Sequence, residues 1–362
     1  MTSRGLIRVL VIDDSAFSRQ AITHMLATSP LVEVVGVARD GEEAIRKTFE
    51  LEPDLITLDL EMPKMNGFTF LRIVMRKRPT PVIVISGRAG EDDVFKALDL
   101  GAVDFIAKPK SQATPDLVNI EQELIRKVHS IRELRIEKIR ERVRAAPAVV
   151  TRRTKDPETQ LASVVVIGSS TGGPAALMQI FGAFPVAPAC AFLVAQHMPE
   201  GFTRGFAERL DRLTPLHAAE AKGGEIPSPG TILVAPGGSH LELESIGPSV
   251  MTRVVRPSAG DKYTPSVDRL FDSAAKSFGG DVLALVLTGM GDDGRKGVKS
   301  VKGAGGSVIA ESEHTAVIFG MPQHAIRTGV VDQVLSLGDI ATAIQLGAGS
   351  VKERASSRKG HV

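Results

Sequence analysis

The sequence predicts an α/β protein built from two parallel sheets, each wound on both faces by helices. Three observations predict it. Short β-branched and apolar runs alternate with helix-patterned segments over residues 1–115, and again over 161–347. Many of these runs end on polar or acidic residues, as parallel strands do when their carboxyl ends carry a site. A charged stretch over 116–160, broken by Ala145-Ala146-Pro147-Ala148, divides the two halves.

In the first half, strands are expected at 7–12, 32–37, 54–58, 81–85 and 103–106. Helices are expected to begin near Ser15, Gly41, Gly67, Asp92 and Pro115. Asp13 and Asp14 then follow the first strand and Asp59 the third, while Ser86 follows the fourth and Lys108 the fifth. Three clustered carboxylates repel one another unless a cation joins them, and hard oxygen ligands suit Mg²⁺. Taken singly, Asp13-Asp14 could cap the helix at Ser15 and Asp59 could be a loop residue. Five such residues at one sheet edge favour a functional reading.

Asp13-Asp14, Asp59-Leu60-Glu61-Met62-Pro63 with Asn66-Gly67, Ser86, and Lys108-Pro109 together resemble a flavodoxin-like response-regulator receiver domain. The resemblance covers residues 1–115. It implies that Asp59 accepts a phosphoryl group from a histidine kinase. It implies Mg²⁺ held by Asp13, Asp14 and Asp59, with the main-chain carbonyl of Glu61 as a further ligand. Ser86 and Lys108 would grip the phosphoryl oxygens, and Phe105 matches the switch aromatic. A receiver is a switch, so the output must come from the rest of the chain.

Within 116–160, Leu124, Val128, Ile131, Leu134, Ile139 and Val143 recur at helix-like intervals among charged residues. They read as the last receiver helix running on into an amphipathic connector. The basic run over 151–159 reads as a solvated linker face. Its charges are mixed, and no recognition helix follows.

In the second half, strands are expected at 164–167, 191–195, 231–235, 283–288 and 307–310. The first leads into Gly168-Ser169-Ser170-Thr171-Gly172-Gly173-Pro174, a strand, tight turn and helix start with a hydroxyl at the tip. Taken alone, Gly168-x-Ser170-x-Gly172 is a weak signal, since glycine-rich turns also cradle phosphates or simply turn. The next strand ends in Gln196-His197-Met198-Pro199, and a later one in Thr288-Gly289-Met290-Gly291-Asp292-Asp293-Gly294. A serine hydroxyl needs a base to become a nucleophile, and an imidazole, here His197, is a side chain that can serve as one. The imidazolium needs a carboxylate, and Asp293 is the candidate. Main-chain N–H groups at Thr171 and in Gly289-Met290-Gly291 are candidate donors to an oxyanion. The order Ser, His, Asp differs from the α/β-hydrolase order.

These three motifs resemble those of the chemotaxis methylesterase family, CheB. With a receiver in front, the resemblance spans nearly the whole chain. It implies hydrolysis of γ-glutamyl methyl esters on chemoreceptors and deamidation of certain receptor glutamines, gated by the receiver. It implies no cofactor in the esterase site. The spacing selects Ser170 over Ser169, and the following glycine selects Asp293 over Asp292, which reads as a surface turn residue.

Other features receive plainer readings. A net charge of +2 gives no field for nucleic acid, and the absence of Trp with a single Tyr argues against stacking platforms. The one cysteine, Cys190, excludes a disulfide framework and fits a reducing cytoplasm, as a plain buried or loop thiol. The N-terminus does not read as a signal peptide, and no apolar run approaches the roughly 20 residues of a membrane helix. His240 reads as a loop histidine; His217, His314 and His324 lack metal-ligand spacing. Phe202, Phe206 and Leu210 read as core, and 348–362 as a disordered tail. The rival reading for the second half is a binding module without catalysis; a DNA-binding output is weaker still.

Overall fold

The computed structural model describes residues 5–87, 91–108, 114–131 and 164–345. Most of the connector and the expected tail lie outside the described residues, as do the side chains of Ser86 and of residues 114–119. The chain divides into two compact units, one within Met1–Ala146 and one within Pro147–Val362.

The first unit alternates strands and helices: β1 (Ile7–Ile12), α1 (Ala16–Ala27), β2 (Val32–Ala38), α2 (Gly41–Leu51), β3 (Leu55–Leu58), α3 (Gly67–Lys77), β4 (Val82–Ser86), α4 (Glu91–Asp99), β5 (Asp104–Ala107) and α5 (Thr114–Ser130). Small polar residues start the first three helices as N-caps. Ser15 accepts the Ser18 N–H at 3.3 Å, Asp40 that of Glu43 at 2.9 Å, and Asn66 that of Thr69 at 3.0 Å. The strands form one parallel sheet in the order β2-β1-β3-β4-β5. Order reverses beside β1, so β1 and β3 lie side by side with Ile12 opposite Leu58. Asp13 and Asp59 therefore leave neighbouring strand tips. Val9, Val11, Leu55, Ile83 and Ile106 pack with Leu26 of α1 and Leu124 and Val128 of α5. The receiver core thus runs on through α5, past residue 115.

The second unit holds a seven-stranded parallel sheet where the sequence suggested five strands. Its strands are β6 (Val164–Ser169), β7 (Ala191–Gln196), β8 (His217–Glu220), β9 (Thr231–Val234), β12 (Val282–Val286), β13 (Ser307–Glu311) and β14 (Gln333–Leu335). They run in the order β14-β13-β12-β6-β7-β9-β8. An antiparallel hairpin, β10 (His240–Ile246) and β11 (Ser249–Val255), forms a separate ribbon. The helices are α6 (Gly173–Gly182), α7 (Phe202–Leu213), α8 (Val267–Phe278), α9 (Gly297–Gly303), α10 (Met321–Ile326) and a last one over 337–345. One sheet face, through Val164, Val166, Leu193, Ala284 and Val286, packs on Leu270, Phe271 and Ala274 of α8. On the other face Phe192 meets Phe181 of α6 edge-on at 5.1 Å. Phe206 and Leu210 of α7 are buried, as their spacing suggested. The central strand is β6, flanked by β12 and β7. No helix among the described residues is long and apolar enough to cross a membrane.

Candidate functional site

The turn after β6 is held by Gln196, the last residue of β7. Ser169 is fully buried and donates to Gln196 Oε1 at 2.6 Å. The same amide donates through Nε2 to the carbonyls of Ser170 and His197, both at 3.0 Å. Gln196 thus fastens the tips of β6 and β7 together. A glycine is required at 173, because a Cβ there would lie 2.0 Å from Gln196 Oε1. With Ser169 turned inward, Ser170 is the hydroxyl left at the tip, half-buried and without a hydrogen bond of its own among the described residues. The Ser170 N–H donates to the Thr288 carbonyl at 3.0 Å, and the His197 N–H to the Ser169 carbonyl at 3.0 Å. Three strand tips therefore converge on Ser170.

His197 lies beside Asp293, with Nε2 2.9 Å from Oδ2. Asp293 is 2% exposed and sits at the amino end of α8. It accepts the N–H groups of Val267 (2.8 Å), Asp268 (2.9 Å) and Gly294 (3.1 Å), and the Ser266 hydroxyl at 3.3 Å. Burial pushes this carboxyl up, but the hydrogen bond and charge of His197 and the main-chain donors outweigh it. The net effect holds Asp293 below the usual carboxylate range, so it stays ionised. The Tyr263 ring stacks on the imidazole, with centroids 5.0 Å apart and planes within 5°.

Asp292 is more than a surface turn residue. It accepts from Lys262 at 2.7 Å and from the Tyr263 hydroxyl at 3.0 Å, and so anchors the stacked ring. The Lys262 hydrogen bond draws its carboxyl down against a smaller effect of burial.

The expected oxyanion donors divide. Gly289 is excluded, because its N–H donates to the Ile318 carbonyl at 3.1 Å. The Met290 N–H makes no hydrogen bond among the described residues. Thr171 is buried beside Ser170, and its carbonyl accepts the Thr288 hydroxyl at 3.0 Å. The Thr288 N–H in turn is held by buried Glu311 at 2.7 Å, which fixes the start of this loop. His240 also departs from expectation. It opens β10, is fully buried, and bonds Asp261 at 3.0 Å and the Ser266 N–H at 3.1 Å. Cys190 is buried, which pushes its thiol up to about 12 and keeps it inert.

In the first unit, Asp13, Asp14 and Asp59 offer carboxylate oxygens that all lie within 4.8 Å of one another. They are the group among the described residues placed to hold a metal ion. Lys108 Nζ reaches Asp13 at 2.6 Å and Asp59 at 2.5 Å. Burial raises the Asp13 carboxyl and outweighs the lowering effect of Lys108. One ammonium therefore leaves the cluster short of positive charge, and an all-oxygen donor set with an exposed edge at Asp14 fits Mg²⁺. Glu61 follows in the same turn, its N–H donating to Asp59 at 3.2 Å. A Cβ at Gly67 would meet the Asp59 carbonyl at 2.5 Å, so glycine lets α3 close on this turn. Ser86 ends β4 beside Ala107, but its side chain lies outside the described residues. Phe105 is buried.

Comparison with known proteins agrees with both geometries. A family model for CheB methylesterase matches residues 165–344, and one for the response regulator receiver domain matches residues 9–118. Protein-glutamate methylesterase/protein-glutamine glutaminase 3 of Geobacter sulfurreducens is 51% identical over 357 residues, covering 93% of this chain and 96% of that one. The chain belongs to the CheB methylesterase family. A Myxococcus xanthus member, protein-glutamate methylesterase/protein-glutamine glutaminase 1, is 47% identical and covers 95% of this chain and 98% of its own length. The crystal structure of the Thermotoga maritima CheB methylesterase catalytic domain is 40% identical, with a TM-score of 0.50. It covers 52% of this chain and 98% of its own. Motif spacing singled out Ser170, His197 and Asp293, of which the structure bonds His197 to Asp293; it quoted Gln196 without a role and did not single out Tyr263, Ser266 or Glu311. A polar residue ending the apolar run 191–195 was the signal available for Gln196.

Proposed function

We propose that this chain is a phosphorylation-controlled serine hydrolase that demethylates glutamate methyl esters, and deamidates certain glutamines, on chemoreceptors in the cytoplasm. The observation that carries the reading is the buried Asp293, held in its ionised form and bonded to His197, whose main-chain N–H is tied to the Ser169 carbonyl next to the half-buried Ser170. Asp293 takes His197 Nε2, which leaves Nδ1 as the base toward the serine. Ser170 Oγ attacks the ester carbonyl carbon as His197 removes its proton. The oxyanion is met by the main-chain N–H groups of Thr171 and Met290. Collapse of the tetrahedral intermediate expels methoxide, protonated by His197 and released as methanol. Water then attacks the acyl-serine with the same base and frees the glutamate. A glutamine side chain presents the same carbonyl with ammonia as leaving group, so one site serves both reactions.

The receiver runs past the expected boundary at residue 115 through the end of α5, the remainder up to residue 160 acts as the connector, and 161–347 act as the catalytic part. Asp59 accepts the phosphoryl group from a histidine kinase, and Ser86 and Lys108 hold its oxygens. Asp13, Asp14, Asp59 and the Glu61 carbonyl would hold Mg²⁺, which supplies positive charge to the incoming phosphoryl oxygens. Phosphorylation then raises esterase activity. The test is methanol release from a methylated receptor fragment, with and without a small phosphodonor. Wild-type protein should release methanol and the donor should speed it; Ser170→Ala should abolish release and still take up phosphate at Asp59. Release undiminished in Ser170→Ala refutes the mechanism.

A further inference from the structure

Beside the His197–Asp293 pair opens a cleft of about 580 Å³, lined by Tyr263, Asp292, Asp293, Arg295, Lys296 and Lys299 among others. Its charges are not evenly matched. Every carboxylate on its walls already has protein partners. Asp293 has His197 and the main-chain donors of α8. Asp292 has Lys262 and Tyr263. Asp261 has His240 and Arg269, and Asp268 accepts the N–H groups of Lys296 and Gly297 at 2.8 and 2.7 Å. Lys262 and Arg269 are in turn taken up by these anions and by Glu242. The cations left over are Arg295, Lys296 and Lys299. All three are exposed, and none has an ion pair among the described residues. They follow one another on the loop into α9 and on its first turn, along one wall of the cleft.

We infer that Arg295, Lys296 and Lys299 form a recognition rim for an acidic polypeptide, which binds with carboxylates flanking the reacting side chain laid along these cations. The inference rests on the hydrolase reading of the site and names what it binds. Each ester or amide hydrolysed replaces a neutral side chain by a carboxylate. The segment around the next reacting side chain therefore grows more anionic as turnover proceeds, and an unpaired cationic rim holds such a segment more tightly than the unmodified one. The rim thus favours segments already partly converted.

The experiment uses the full chain and two receptor fragments, each with one glutamyl methyl ester. In one fragment the flanking positions are Glu; in the other they are Gln. Wild-type protein should prefer the acidic fragment by about tenfold in kcat/KM, mainly through KM, as three exposed charge pairs allow. The preference should shrink toward one at high salt. The triple variant Arg295→Glu, Lys296→Glu, Lys299→Glu should abolish or invert it. Equal kcat/KM for both fragments in the wild type, a preference unmoved by salt, or one kept by the triple variant each overturns the proposal. The salt series needs no variant and decides the matter if the triple variant fails to fold. Fluorescence anisotropy of an ester-free acidic fragment separates the two readings. Salt-sensitive binding without methanol release from either fragment keeps the rim and removes the esterase.

Discussion

Two acidic centres lie at the carboxyl ends of two parallel sheets, and they treat their carboxylates in opposite ways. At the receiver centre, Asp13 and Asp59 share one ammonium, Lys108, and burial pulls the Asp13 carboxyl upward. At the esterase centre, Asp293 is as deeply buried but receives three main-chain N–H groups, a hydroxyl and an imidazole, and is held down. The first centre is under-compensated, which suits it to hold a cation. The second is saturated and acts as a fixed negative charge that orients its histidine. Similar residues on similar folds take up different chemistry because of how many donors the neighbouring backbone turns toward them.

The comparison breaks most visibly at Asp293. Asp293→Asn keeps an acceptor for some of the α8 N–H groups but removes the charge that steadies the imidazolium and fixes its tautomer. We expect kcat for methanol release to fall by about 10⁴-fold, with phosphorylation of Asp59 unaffected. A loss under tenfold would mean that the saturated carboxylate only anchors α8.

The receiver centre should answer to cations and acid with the opposite sign. Mg²⁺ at ten times its Kd should stabilise the receiver by about 1.4 kcal/mol, which raises its melting transition by about 5 °C or more. Asp13 has a raised folded value, so its ionised form is a burden in the metal-free protein above that value. The burden is relieved as pH falls through it toward the unfolded value. Asp13→Asn should therefore melt above metal-free wild type at pH 7, with the gap closing on acidification, and should lose most of the Mg²⁺ response. Asp293 works the other way. Its lowered value contributes stability at pH above the ordinary carboxylate range, lost only as pH falls through the folded value. Thermal melts at several pH values, with and without Mg²⁺, check both signs. A Mg²⁺ response undiminished in Asp13→Asn would break the contrast.

How much of this was legible follows from how local each signal is. The strand tips were readable because an apolar run ending in Asp, Ser or His is a contiguous pattern, and Ser15, Asp40 and Asn66 announce their helices within four residues. The hairpin β10–β11 carried a period-two signal in Leu241-Glu242-Leu243-Glu244, with His240 at its head and a Gly247-Pro248 turn at its tip, so it was legible although the expected strands omit it. The edge strands β8 and β14 are short and partly exposed, and their apolar runs are too brief to stand out. The partners of the site were not legible in the same way. Tyr263 and Ser266 reach His197 and Asp293 from segments 66 and 27 positions away, where no spacing rule applies. The exclusion of Gly289 came from a bond to Ile318 that only folding creates.

The finest difference between the centres is the ring on His197, since no aromatic stack supports Lys108 in the same manner among the described contacts. Tyr263 lies parallel to the imidazole, and its hydroxyl is tied to Asp292 at 3.0 Å. Under the proposed mechanism, an aromatic face opposite the ring would favour the imidazolium formed as Ser170 loses its proton. Tyr263→Phe keeps that face and removes only the tether, worth about 0.5–1.5 kcal/mol as a hydrogen bond. We expect kcat/KM to fall about three- to tenfold with little change in KM. Tyr263→Leu removes the face as well and should fall further, with the acidic limb of the pH–rate profile displaced to lower pH because imidazolium loses its support. If the Phe and Leu variants fall equally and their pH profiles coincide, the ring is only a spacer, and Asp293 alone holds the histidine.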